Sequence, residues 1–262
     1  MKSHDHQHIN KDRLADSAGV PWDGRAFNEN PFADDDGSAN PALISAIENF
    51  HVSADPADVF IEFSKSRLLI PLLANLGESE QGAHGLEVDK SAELSIVNVR
   101  TPDDQVGLPV FSSVVAMQRW NANARPVPSD AIKVAIAAAS EGSTRIILDP
   151  GSETEFAFRR NAIAALAQQK NWIHPALDEQ VISQIEQGAK FEKQIIEVTV
   201  KIGDPASRLS APEVKIEFGV ESGLAKDELE EILNRVTKVW SEDEIIASRV
   251  DSLSLVVKPK KI

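Results

Sequence analysis

The hydrophobic residues of this chain follow two different patterns, one on each side of Pro175. Before it, short apolar stretches such as residues 68–73 alternate with segments whose apolar positions repeat at helical spacing. After it, residues 196–202 and 214–220 alternate between apolar and other positions. Such alternation is typical of strands with one buried and one solvated face. The change of pattern predicts a domain boundary near Pro175.

The first pattern predicts an α/β (α+β) domain with a mixed sheet over residues 41–175, because helical segments alternate with short apolar strands. Its first helix is predicted to begin at Pro41, with Asn40 as the N-cap. Four further helices are predicted from apolar positions three or four residues apart. They cover residues 56–64, the segment capped by Ser112 or Ser113, residues 131–140 and residues 160–169.

Three more strands are predicted in this domain besides the one at 68–73. Residues 94–97 and 106–111 are expected to pair as a hairpin, because a Pro-Asp-Asp turn signal lies between them. Residues 146–148 form a buried strand that ends abruptly at Asp149-Pro150-Gly151. The sheet of the first domain is therefore expected to contain both hairpin and crossover connections.

The second pattern predicts a small separate domain over residues 176–262, with the order β-β-α-β after an opening helix. Each of its strands has one apolar face, so we expect an antiparallel sheet that is covered on that face by the helix at 226–240. Ile232 lies in the middle of the apolar stripe of this helix. We expect residues 176–262 to fold without the rest of the chain.

Residues 1–40 are predicted to form a flexible acidic lead-in, because they are rich in Asp, Asn, Gly, His and Ser. Trp22 and Phe32 interrupt this composition, and both are candidate partner-binding residues that could anchor the segment. Three alternating histidines near the start could bind a metal ion adventitiously. Nothing in a flexible segment fixes their geometry, so we predict no metal site there.

Charge and composition exclude several classes of protein. The net charge is −14, and no segment is basic, which argues against a nucleic-acid-binding surface. No stretch approaches the roughly 18 apolar residues of a membrane helix, and the start lacks a secretory signal, so we expect a cytoplasmic protein without membrane contact. The chain has no cysteine, which excludes disulfides and cysteine nucleophiles. A solvated acidic exterior is the simplest interpretation of this charge, and the same charge could attract an unknown protein partner that is basic.

Recognised catalytic and cofactor signatures are missing from the sequence. It contains no GxGxxG, GxSxG or HExxH motif and no complete phosphate loop. The segment 34–38 resembles the start of a calcium loop, but Phe32 and Leu43 stand where the first and last ligands belong. We therefore expect a protein that is not an enzyme and that holds neither a cofactor nor a metal.

Motifs in the first domain carry a family resemblance. Val110-Phe111-Ser112-Ser113 precedes Trp120, and Ile146-Ile147-Leu148-Asp149-Pro150-Gly151 follows the Ala-rich helix. Over residues 20–175 this pattern resembles the N-terminal domain of the SseB family. Ser112 stands where that family usually has Thr, and Asp149 where it often has Asn. The resemblance implies an SseB-type domain of no established activity, and a sulfurtransferase role is excluded because it would need a persulfide-forming cysteine.

The sequence allows two interpretations of Ser113 and Asp149. In the first, Ser112 or Ser113 caps a helix and Asp149 ends a strand. In the second, Ser113 and Asp149 line one cleft at the ends of two strands, where α/β folds often bind ligands. We expect a non-catalytic cytosolic interaction or adaptor protein. The alternatives are a small-molecule-binding or sensory protein that uses this cleft, and an enzyme of unfamiliar type that uses Asp, Glu or Ser.

Overall fold

A computed structural model of the 262-residue chain describes residues 32–75 and 93–260. Within these ranges the chain forms eight α-helices, ten β-strands and one 3-10 turn at Pro175–Leu177. The helices are α1 (Pro41–Ser53), α2 (Ala57–Lys65), α3 (Val114–Trp120), α4 (Ala131–Ser140), α5 (Arg160–Ala167), α6 (Glu179–Ala189), α7 (Lys226–Glu242) and α8 (Glu244–Arg249). The strands are β1 (Arg67–Asn75), β2 (Glu93–Ile96), β3 (Val99–Arg100), β4 (Val106–Val110), β5 (Arg125–Asp130), β6 (Arg145–Leu148), β7 (Phe156–Phe158), β8 (Ile195–Ile202), β9 (Val214–Glu221) and β10 (Leu253–Lys260).

The described residues of the first segment, 41–75 and 93–175, contain two sheets around a main core, and a smaller hydrophobic cluster consists of Leu69, Phe111, Met117 and Ala124. One sheet has the antiparallel order β2-β1-β5. The other has the order β3-β4-β6-β7, in which β4 and β6 run parallel and the outer pairs antiparallel. A bridge between Leu69 and Phe111 joins the two sheets with a pair of 2.9 Å hydrogen bonds. The helices α1, α2, α4 and α5 supply the remaining core side chains.

Local sequence signals explain how the helices of this segment begin. The side chain of Asn40 accepts a hydrogen bond from the Ala42 N–H at 3.0 Å, as predicted for the start of α1. Asp130 caps α4 in the same way, by accepting the Lys133 N–H at 2.8 Å. Small alanines on α4 let it pack closely, so that its buried side is completely covered.

The predicted hairpin between residues 94–97 and 106–111 is wrong in its first strand. The turn itself is present, because the Thr101 N–H donates to the Gln105 carbonyl at 3.0 Å. However, it joins β4 to the two-residue strand β3, whereas β2 pairs with β1 in the other sheet. The chain changes sheet across residues 97–98, which no local signal marks. The sequence also did not predict β5, whose two prolines are unusual in a strand, or the three-residue β7.

The second segment, residues 176–262, forms one sheet of order β10-β9-β8 with helices over its apolar face. The strands β8 and β9 are antiparallel, as predicted. The strand β10 runs parallel to β9, so the expectation of a wholly antiparallel sheet is wrong. The cause is the connection through α7 and α8, because a helical crossover returns the chain in the same direction.

The α+β fold class is confirmed, with mixed sheets in both segments. The two segments have separate hydrophobic cores, and the change from one to the other falls between Trp172 and Ala176. The described residues from Asp36 onward nevertheless belong to one compact unit. Independent folding of residues 176–262 therefore stays a prediction. None of the helices in the described ranges combines the length and the apolar character that crossing a membrane would require.

Candidate functional site

Ser113 and Asp149 lie at one edge of the four-stranded sheet, because each closely follows a strand of the parallel pair β4–β6. The carboxyl ends of parallel strands meet at the same edge, which is where open α/β sheets usually bind ligands. Both residues line a groove of about 800 Å³, which we call the Asp149 groove. Ile44, Val115, Arg119 and Trp120 contribute to its other walls. The structure thus brings together the two cleft residues that the sequence analysis singled out.

The Asp149 carboxylate is buried and accepts three hydrogen bonds. One oxygen accepts the Ser112 N–H at 2.8 Å, and the other accepts the hydroxyls of Ser112 at 2.6 Å and Thr154 at 2.8 Å. Burial raises the pKa of Asp149, while these hydrogen bonds oppose the shift. Its φ of 46° lies in the left-handed region, which Asp tolerates better than most residues. The carboxylate therefore ties the end of β4 to the loop after β6.

Ser112 and Ser113 have different structural roles. Ser113 is the N-cap of α3, because its hydroxyl oxygen accepts the Ala116 N–H at 3.1 Å. Ser112 is buried, and its hydroxyl donates inward to Asp149. A serine nucleophile needs a neighbouring base that is free to take its proton. The contacts of both serines support the first of the two interpretations that the sequence left open.

The outer wall of the Asp149 groove is the exposed side of α3. Val115 is 56% exposed, and Trp120 is half-buried with its ring 5.3 Å from that of Phe111. Arg119 is exposed, and no carboxylate within residues 32–75 or 93–260 forms an ion pair with it. This wall therefore combines an apolar surface with a positive charge that the described part of the chain does not neutralise.

The two aromatic candidates of the lead-in are placed differently from the groove residues. Trp22 lies outside the described residues, as does most of the predicted lead-in. Phe32 is the first described residue, and its carbonyl accepts the Asp35 N–H at 3.2 Å in a short turn. Asp36, from the calcium-like segment, accepts hydrogen bonds from the backbone and the hydroxyl of Ser38. Across the described ranges, no group of three or more candidate metal ligands comes together.

A second concentration of charge joins the two segments, and we call it the arginine cluster: Arg145, Arg159, Asp103, Asp204 and Asp251. Arg145 binds Asp251 through two hydrogen bonds of 3.0 and 2.8 Å, and its Nε donates to Asp103 at 2.8 Å. Arg159 donates to Asp204 at 3.0 Å. Buried charges are tolerated only when they are paired and hydrogen-bonded. The cluster borders a cavity of about 520 Å³, but its arginines are already paired, so we assign it a structural role.

Glu213 is a buried carboxyl beside this cluster. It accepts the side-chain amide of Asn161 at 2.9 and 3.1 Å and the Asp251 N–H at 2.8 Å. Burial raises the pKa of Glu213 to about 7, although its hydrogen bonds act in the opposite direction. His174 is also buried, and the loss of water together with the charge of Arg159 lowers its pKa to about 4.

We expect Glu213 to make the free energy of unfolding fall as the pH rises. Its carboxyl group loses its proton near pH 4.5 in the unfolded chain but only near pH 7 in the folded chain. Between these values only the folded chain binds the proton, so the stabilisation is complete below pH 4.5 and is lost as the pH passes 7. At about 1.4 kcal/mol per pKa unit, the loss is on the order of 3 kcal/mol.

The measurement is urea unfolding at several pH values, for the natural chain and for Glu213→Gln. The comparison is needed because His174 acts in the opposite direction between about pH 4 and 6.5, where only its unfolded form binds a proton. The free energy of unfolding of the natural chain minus that of Glu213→Gln reports the contribution of Glu213. This difference should decrease towards high pH, because only the natural chain loses the stabilisation. A difference that stays constant from pH 5 to pH 8 would contradict the assignment.

Sequence reasoning missed two residues of the groove, Arg119 and Thr154. Arg119 follows Val115 by four residues on α3, which places both on one side of the helix. That spacing, next to the motif residue Trp120, could have identified it. The bond from Thr154 to Asp149 depends on the path of the loop after β6, for which the sequence carries no periodic signal.

Comparison with known proteins gives one match. Residues 42–165 match the family model described as the SseB protein N-terminal domain. The matched range includes Ser113, Arg119 and Asp149, and so the main side chains of the Asp149 groove. Neither the curated proteins nor the solved structures contain a match to the chain.

Proposed function

Because this chain belongs to the SseB family, through an N-terminal domain at residues 42–165, we propose that it is a non-catalytic cytosolic interaction or adaptor protein. In this proposal the Asp149 groove receives a segment of a partner protein. The observation that carries it is the outer wall of α3, where an exposed Val115 and a half-buried Trp120 stand beside an exposed Arg119. Exposed apolar side chains next to an available charge are what an interaction site needs.

The polar groups of the groove support a binding role over a catalytic one. The carboxylate of Asp149 is engaged by Ser112 and Thr154, and the hydroxyl oxygen of Ser113 is engaged by the cap of α3. These groups hold the loops in place, so that none of them is poised as a nucleophile with its own base. What remains available to a ligand is the apolar surface, the guanidinium of Arg119 and the exposed carboxylate of Glu153.

The partner segment can be described by the chemistry of the groove. An apolar side chain would cover Val115 and Trp120, and a carboxylate beside it would pair with Arg119. The partner as a whole is expected to be basic, because the net charge of −14 attracts positive proteins over long range. Long-range charge would then increase the rate of encounter, and the local contacts would determine which segment binds.

We expect peptides selected against the full chain to share an apolar residue next to an acidic one. The experiment selects peptides from a random displayed library and measures their affinities by fluorescence polarisation. Arg119→Glu should weaken the selected peptides by about tenfold or more, because it turns an attraction into a repulsion. Arg125→Glu is the matched control, since Arg125 is also exposed but lies outside the groove.

Two outcomes would count against the groove as a partner site. Peptides that bind Arg119→Glu and the natural chain equally would place the site elsewhere. A second candidate function, small-molecule binding or sensing, is favoured by the position of the groove at the carboxyl ends of β4 and β6. No selected peptide, together with a thermal-shift response to one class of metabolite that Arg119→Glu removes, would favour this second candidate.

A further inference from the structure

The strand β8 has an open edge. Among the described strands only β9 pairs with it. The Gly203 N–H donates to the Glu213 carbonyl at 2.9 Å, next to the end of this ladder. Hydrogen-bonded and non-hydrogen-bonded positions alternate along an antiparallel pair. Every second residue before Gly203, namely Lys201, Thr199 and Glu197, is therefore also a position at which β8 bonds to β9. The N–H and C=O groups of the residues between them therefore point away from β9, toward the open edge.

The side chains next to this edge are incompletely covered. Val198, Val200 and Ile202 pack against the core of the second segment, but each remains partly exposed. Ile196, at the bulge near the start of β8, is 45% exposed. A groove of about 320 Å³ lies between α6 and β8. An edge of this kind is open to the addition of a further strand.

The residues of β8 are arranged so that two copies of the strand complement each other when they run in opposite directions. If two copies of β8 run antiparallel with Thr199 opposite Thr199, Glu197 of each copy lies opposite Lys201 of the other. In the same register Val198 lies opposite Val200. Apart from the Thr199 pair, the residues opposite each other then have either opposite charges or apolar side chains, and all three are stabilising kinds of cross-strand pair.

The hydrogen-bonding groups fit the same register. Val198 and Val200 present their N–H and C=O groups at the open edge, and they face each other as hydrogen-bonded pairs. A shift of two residues, with Val200 opposite Val200, would place Thr199 opposite Lys201 and Glu197 opposite Gly203. The opposite charges would then no longer meet. Glu197 and Lys201 therefore favour the register centred on Thr199, in addition to the pairs that they form with Lys260 and Glu217 of their own chain.

We propose that β8 is an interface between two copies of this chain, which pair antiparallel about Thr199 and form a continuous six-stranded sheet. A two-fold axis at Thr199 makes the interface isologous, as most homodimer interfaces are. The occupant is a second copy because residues 197–201 are complementary in charge to the same residues in reverse order, which the strand of an unrelated partner would not require. The interface is separate from the Asp149 groove and does not depend on the proposed function.

The first test is the register, measured by disulfide formation in the full chain. The chain has no cysteine, so a single introduced cysteine reports one contact. Thr199→Cys should form a covalent dimer readily, because the non-hydrogen-bonded pair at the two-fold axis has Cα atoms about 4.5 Å apart. Lys201→Cys is the matched control, since its two copies would lie about 13 Å apart along the strands.

The second test uses charge. In sedimentation equilibrium, Lys201→Glu and Glu197→Lys should each weaken the dimer by roughly tenfold, because each places two like-charge pairs at the interface. An equimolar mixture of these two variants should restore the dimer, since Glu then again faces Lys in every pair. Mixing cannot repair a defect in the fold of either monomer. Recovery of the dimer in the mixture therefore distinguishes a weakened interface from a destabilised monomer.

A chain that stays monomeric at millimolar concentration would overturn the proposal, as would equal disulfide formation at positions 199 and 201. A dimer that is unaffected by either charge reversal would place the interface on another surface.

Discussion

Replacing Ile232 with Asp is expected to unfold residues 176–262 while residues 41–175 keep their fold. Ile232 lies in the middle of α7, and its side chain is 0% exposed. A carboxylate there has to be buried without a partner or to take up a proton, and either costs several kcal/mol. With about 0.05–0.15 kcal/mol of stability per residue, a unit of this size has only a few kcal/mol in total. The expected cost exceeds this margin.

The measurement is the amide NMR spectrum of the full chain. Signals of the second segment should lose their dispersion, whereas those of the first segment should stay where they are. Val239→Asp is the matched control, because Val239 lies on the same helix but is 48% exposed, so it should leave the spectrum dispersed. If Ile232→Asp collapses both sets of signals together, the chain from residue 41 onward is one cooperative unit, and the predicted boundary near Pro175 is wrong.

Replacing Asp251 with Asn is expected to lower the free energy of unfolding by about 3–5 kcal/mol, the usual cost of removing one partner from a buried ion pair. Asp251 accepts both hydrogen bonds of the Arg145 fork, and the side chains of both residues are almost completely buried. Asn has nearly the same shape but no charge. Arg145 would keep only Asp103 as an ionic partner.

Urea unfolding at neutral pH measures this loss directly. Asp104→Asn serves as the control, because Asp104 pairs with Arg100 on the surface, where both side chains are about three-quarters exposed. Exposed pairs contribute little, so the control should unfold like the natural chain. Equal behaviour of the two variants would mean that the arginine cluster does not stabilise the contact between the segments.

The sequence by itself determined the features that depend on neighbouring residues. The cap of α1 was predicted because Asn40 bonds to an amide two residues away. The faces of β8 and β9 were predicted because strict alternation leaves only one apolar side to bury. Asp149 and Ser113 could be assigned to one edge because each follows a short apolar strand, and the family match then confirmed the identity of this domain.

The tertiary structure alone decided which of these elements meet. The strand β2 pairs with β1 rather than with β4, and β10 runs parallel to β9, because the path of the chain between strands fixes their partners and directions. Arg145 pairs with a carboxylate 106 residues away, and no pattern in either stretch indicates the other. Local signals arise from contacts between residues that are close together in the sequence. The arginine cluster and the wall that Ile44 of α1 adds to the Asp149 groove form only when distant segments pack, so they could not be predicted from the sequence.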